Sequence, residues 1–110
     1  IGYRMNPEQI LYYSPNCFGT ADAICFKNRM LRVHDYKSGA VPAHMEQLMV
    51  YAALFCLEYG KKPSEFDTEL RLYQNEEIVA DHPEPWEIFA YMDKIVDSDR
   101  IITKLKLEAI

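Results

Sequence analysis

FGTADAICF (Phe18–Phe26), LRVHDYKSG (Leu31–Gly39) and HMEQLMVYAALFCLEY (His44–Tyr59) decide how this chain is read. The first two segments alternate as half-buried strands do, with successive side chains on opposite faces. The Lys27-Asn28-Arg29 stretch between them suits a tight hairpin turn. In the third, Met45, Leu48, Met49, Ala52, Phe55, Cys56 and Tyr59 recur at helical spacing and form an apolar stripe. The spacing predicts a helix over Ala43–Tyr59, opened by the sheet-breaking Ser38–Pro42 run and closed by Gly60.

Working outward, residues 1–9 read as a loop. A short strand over Ile10–Tyr13 is ended by Ser14-Pro15-Asn16. Strands follow over Cys17–Phe26 and Met30–Tyr36, and after the helix over Thr68–Gln74 and Glu77–Asp81. Asn75-Glu76 forms the turn between the last two. Pro83 and Pro85 lead into a last helix over about Pro85–Ile95, with Trp86 expected as its packing anchor and only a weak helical pattern beyond. The order βββ-α-ββ-α predicts an α/β fold with one central mixed sheet flanked by helices.

The chain's 110 residues make one domain, residues 1–110. No apolar run reaches the ~20 residues that span a bilayer, and no signal peptide opens the chain, so no membrane partner and a cytoplasmic location are expected. Cys17, Cys25 and Cys56 form no CxxC pair, which argues against a disulfide framework, a zinc site or an iron–sulfur cluster. The net charge of -5 sits in one half. Residues 1–60 balance five basic against five acidic side chains, whereas residues 61–110 carry seven against twelve. The half with the candidate site therefore does not repel a polyanion overall.

Within that half, Asp35 and Lys37 share one face of a strand, and a suitable hairpin register brings Asp22 beside Asp35. Two carboxylates interrupting a buried apolar alternation call for a cation or a basic partner. Mg²⁺ or Mn²⁺ fits hard oxygen ligands: the carboxylates of Asp22 and Asp35 and, as a third, the backbone carbonyl of Tyr36. Lys37 is placed to orient or deprotonate an attacking water and to stabilise charge on phosphoryl oxygens. Gln47 and Tyr51, at i and i+4, share a helix side distinct from the apolar stripe and suit phosphate or base contacts. His44 lies roughly on that side.

Gly19-Thr20-Ala21-Asp22, Asp35-Tyr36-Lys37 and Gln47 to Tyr51 together resemble the G-x-x-D, D-x-K and Q-x-x-x-Y series of the RecB-like branch of the PD-(D/E)XK nuclease superfamily. Phage-borne and CRISPR-associated exonucleases are the most similar members. The resemblance covers about residues 17–80. It implies a restriction-endonuclease-like core and a Mg²⁺- or Mn²⁺-dependent deoxyribonuclease, an exonuclease of recombination, repair or phage DNA processing. Asp22, Asp35 and Lys37 would be its catalytic residues, with Gln47, Tyr51 and His44 binding substrate. The partners expected are single- or double-stranded DNA and either further copies of the chain or a larger recombination complex. Members of that branch carry an upstream helix that adds a His or Glu to the metal site, and residues 1–17 show no such pattern. The alternative is therefore an inactive or incomplete module of this fold that binds nucleic acid or protein.

Overall fold

The computed structural model describes residues 5–38 and 44–109. Five strands form one sheet in the order β1 (Asn6–Ser14), β2 (Cys17–Lys27), β3 (Met30–Lys37), β4 (Asp67–Gln74) and β5 (Glu77–Asp81). Helix α1 (Glu46–Tyr59) connects β3 to β4, and α2 (Pro85–Glu108) follows β5. β3 and β4 run parallel and every other neighbouring pair is antiparallel, so the α/β architecture with a central mixed sheet is the observed one.

Turn chemistry fixes the hairpins. Asn28 and Arg29 have φ of 54° and 59°, and Asn75 and Glu76 have 52° and 67°. Two consecutive left-handed residues match the twist of the flanking strands, the primed turn that two-residue hairpins favour. At the end of α1, Gly60 adopts φ 63°, and the N–H of Lys61 reaches back to the Cys56 carbonyl at 3.0 Å. α2 begins at Pro85 behind a reciprocal cap, in which the Glu84 N–H donates to Glu87 Oε2 at 2.7 Å.

Parallel register puts Leu31, Val33 and Asp35 on one face with Thr68, Leu70 and Leu72. The apolar members of that set join Leu48, Ala52 and Phe55 of α1 in the core. Arg32, His34 and Tyr36 share the other face with Glu69, Arg71 and Tyr73. α2 packs on α1 through Ile88 and Ile95, leaving α1 between the sheet and a second helix.

That layering explains several departures from the sequence reading. α1 is buried almost all round, including Tyr51 at 6% exposure, because it has neighbours on two sides. Tyr59, expected in its apolar stripe, is exposed. β1 starts at Asn6 rather than Ile10, because pairing with β2 organises residues that carry no apolar period of their own. α2 runs to Glu108, well beyond Ile95. Its second half is tied to the β1–β2 turn, where Asp99 Oδ1 accepts from Ser14 Oγ at 2.5 Å and Asn16 Nδ2 at 2.9 Å. Trp86 is 70% exposed and anchors nothing. Most of the Ser38–Pro42 break, and Ala43 as the helix start, lie outside the described residues. No described helix is long and apolar enough to cross a membrane.

Candidate metal and phosphate site

The antiparallel ladder between β2 and β3 runs from Lys27–Met30 to Ala23–His34. Its next step would set Asp22 opposite Asp35. There the Asp22 side chain takes over from the backbone, and Oδ2 accepts the Tyr36 N–H at 2.8 Å. The N–H and C=O of one strand residue leave the same edge. The Tyr36 carbonyl therefore points to the same gap between the strands as its N–H.

Asp22 owes its position to a change of face along β2. Gly19 and Ala21 lie toward α1: a Cβ on Gly19 would come 2.8 Å from Tyr51 Cε1, and Ala21 is in the core. Further along, Ile24 is in the core and the Phe26 ring lies 5.3 Å from that of Phe55 of α1, tilted by 36°. The inward-facing positions thus switch from odd to even numbers around Asp22. On the neighbouring strand, Glu8 has φ 48° between the pairs Pro7–Ala23 and Gln9–Ala21. An irregularity of this kind re-aims a side chain, and it lets residues three apart, Gly19 and Asp22, serve one face.

Asp35 is 1% exposed, and its carboxyl lies beside that of Asp22. Lys37 Nζ lies 2.9 Å from Asp35 Oδ2. The ion pair is close but poorly aligned, and among the described residues this buried oxygen has no hydrogen-bond donor. Burial and the contact with Asp22 push the Asp35 carboxyl above the ordinary carboxylate range, with the Lys37 charge only partly opposing. Burial acts on Asp22 in the same direction. It is outweighed by the bond with Asp35, the Tyr36 N–H and the Lys37 charge, which hold Asp22 below that range. Lys37 is held more firmly protonated, chiefly by Asp35.

Gln47 Nε2 donates to Tyr51 Oη at 2.7 Å, and burial followed by the charge of Asp35 raises the Tyr51 phenol. The structure therefore brings Asp22, Asp35, Lys37 and the Tyr36 backbone together, with Tyr51 close enough to feel their charge. Gln47 joins through Tyr51. His44 stands apart as an exposed residue before α1, linked to the helix by its carbonyl, which accepts the Gln47 N–H at 3.3 Å.

The donor set suits a small hard cation. The Asp22 and Asp35 carboxyls lie together at the gap toward which the Tyr36 carbonyl points, and Mg²⁺ usually keeps several waters beyond one or two carboxylates. Among the described residues no group of three or more His, Cys, Asp or Glu side chains forms a fuller cage. None of the three described cysteines is disulfide-bonded, and burial pushes the Cys56 thiol up to about 12.

Sequence reasoning missed the second charged cluster, on the opposite face of β3 and β4. Glu69 Oε1 lies 3.2 Å from Arg71 Nε, 3.4 Å from His34 Nε2 and 3.8 Å from Arg32 Nε. His34 is buried there with its ring 5.5 Å from that of Tyr73. The signal was Glu69 itself, a charge in an otherwise strand-like run that alternates with Leu70 and Leu72.

A family model described as a protein of unknown function (DUF2800) matches residues 8–61, a span that holds Gly19, Asp22, Asp35, Lys37, Gln47 and Tyr51. No curated protein and no solved structure matches the chain.

Proposed function

We propose that the chain is a metal-dependent phosphodiester hydrolase acting on DNA, with Asp22, Asp35 and Lys37 as its catalytic residues. One observation carries the reading: Asp35 is almost wholly buried, faces a second carboxyl and, among the described residues, has one lysine beside it. Burying like charges together is unfavourable unless a further cation joins them. The resemblance to the RecB-like nucleases supplies the reaction class.

Asp22, Asp35 and the Tyr36 carbonyl would hold Mg²⁺ or Mn²⁺. When bound, such an ion polarises a phosphoryl oxygen and lowers the pKa of a coordinated water. The chain's own groups divide the remaining work. Asp22 grips the Tyr36 N–H, which fixes the spacing of β2 and β3 at the site. The Lys37 ammonium neutralises charge that grows on the phosphoryl oxygens, where removing one such donor typically costs 10²–10³ in rate. Tyr51, held by Gln47, positions the phosphate or an adjoining base. An exonuclease of recombination, repair or phage DNA processing is favoured over a site-specific endonuclease, because no described element forms a sequence-reading helix or basic arm. The overall acidity favours the second reading, a binding module of the same fold.

The test is incubation of end-labelled linear and closed-circular DNA with Mn²⁺, Mg²⁺ or EDTA. Metal-dependent loss of the linear DNA alone, abolished by Lys37→Ala and Asp35→Asn, is the expected result. Cutting of circles would make the activity endonucleolytic. A folded, metal-loaded protein that cuts neither would leave the binding module.

A further inference from the structure

A cleft of about 360 Å³ lies beside the candidate site, between the β1–β2 hairpin, the first turns of α1 and the middle of α2. Its walls are apolar, chiefly Val50, Leu54, Tyr91 and Ile95, and its charged groups are Glu46 and Lys94. The size falls at the lower end of small-ligand pockets, and a mostly apolar lining with a few placed polar groups is their usual character.

The cleft and the carboxylate site share a partition. Glu46 and Val50 each precede a site residue, Gln47 and Tyr51, on the same two turns of α1. Leu54 and Tyr51 both lie against Gly19, where a Cβ would meet them at 3.8 and 2.8 Å. A strand whose phosphate rests at Asp35 and Lys37 therefore has this cleft next to it. The polar groups are not randomly placed. Tyr91 Oη donates to Glu46 Oε1 at 2.9 Å, which fixes the carboxylate. The Lys94 ammonium lies over the Tyr91 ring, 5.0 Å from its centroid.

We infer that this cleft receives a nucleobase of the DNA strand, one adjoining the phosphate at the carboxylate site. The inference rests on the proposed function and adds how the substrate is held. The base takes the place of the ammonium over the Tyr91 ring, and Lys94 turns to a backbone phosphate. The Glu46 carboxylate can only accept, so it selects bases that present an exocyclic amino group. Cytosine offers its N4 amino group. Thymine has a single donor, N3–H, flanked by two carbonyl oxygens that would face the carboxylate, and is disfavoured.

Fluorescence anisotropy with Ca²⁺ in place of Mg²⁺, so that a hard cation occupies the carboxylates, tests this with labelled, cleavage-resistant octamers of dC and dT and with dC octamers made abasic at each position in turn. For the wild type, one abasic position is expected to weaken binding about tenfold, the scale of one lost base stack. The dC octamer is expected to bind about five- to tenfold more tightly than dT. Val50→Phe, which fills the cleft, should erase both differences. Glu46→Gln, at the exposed helix start, should erase only the second and serves if Val50→Phe melts early. Equal affinity for intact and abasic octamers, differences that survive both substitutions, or no octamer binding would overturn the inference. Cleavage without abasic discrimination would remove the base pocket and leave the hydrolase reading intact. Discrimination without metal-dependent cleavage would do the reverse.

Discussion

The two faces of β3 each bury a carboxylate, and they treat it in opposite ways. On one face Glu69 is ringed by two arginines and a histidine, all within 4 Å. On the other, Asp35 meets a second carboxyl and a single lysine, and its Oδ2 lacks a hydrogen-bond donor among the described residues. Two residues that look alike as acidic positions in strands are thus over- and under-compensated. The first arrangement surrounds its carboxylate with the protein's own cations. The second sets its carboxyl against a like group, and perturbed carboxyls in such surroundings are candidates for functional sites.

The largest effect expected is on catalysis and falls on one face only. Lys37→Ala should lower the cleavage rate by about 10²–10³ or more, while Glu69→Gln should leave the rate per folded molecule unchanged. Cleavage lost equally in both would collapse the distinction. Stability should show the reverse pattern. Glu69→Ala strands two arginines in a half-buried setting, and is expected to cost about 3 kcal/mol by urea denaturation, the usual scale for breaking a buried pair. Asp35→Asn, by removing a buried acid that faces the Asp22 carboxylate, should stabilise the metal-free protein by about 1 kcal/mol, a rise of several degrees in melting temperature.

A pH series sharpens the same contrast. The folded pKa of Asp35 is raised, so its contribution to stability is present below the ordinary carboxylate range and lost as pH rises through the raised value. Asp22 is lowered, so its contribution is present above that range and lost as pH falls through its own value. The stabilising effect of Asp35→Asn should therefore grow from acid toward neutral pH. A benefit that is flat with pH would show that charge is not its cause. Gly19→Ala, whose methyl would press on the Tyr51 ring, should cost about 1–3 kcal/mol and reduce cleavage with it. Tyr51→Phe removes only the bond from Gln47, and about 1 kcal/mol of stability is the smallest change expected.

Much of this was legible beforehand, for local reasons. Period-two alternation located β2, β3 and β4, paired polar residues marked both primed turns, and Gly60 ended α1 where its left-handed φ requires. The face shared by Asp35 and Lys37 follows from spacing alone. What stayed hidden depends on neighbours distant in sequence. β1 is extended by its pairing with β2, and α2 by Asp99 and Thr103 meeting the β1–β2 turn. Tyr51 belongs to the core because its ring lies against Gly19 of β2, on the sheet side of α1. The Glu69 cluster needs parallel register between β3 and β4, which no local pattern encodes. The change of face near Asp22 explains a G-x-x-D spacing that a regular strand would have split between two faces.

The most direct test of the under-compensated site is Mn²⁺ binding itself, followed by electron paramagnetic resonance as the ion is titrated into protein without DNA. The wild type and Glu69→Gln should remove free Mn²⁺ alike, and Asp35→Asn and Asp22→Asn should lose that binding. Undiminished Mn²⁺ binding by Asp35→Asn would contradict the placement of the metal between β2 and β3.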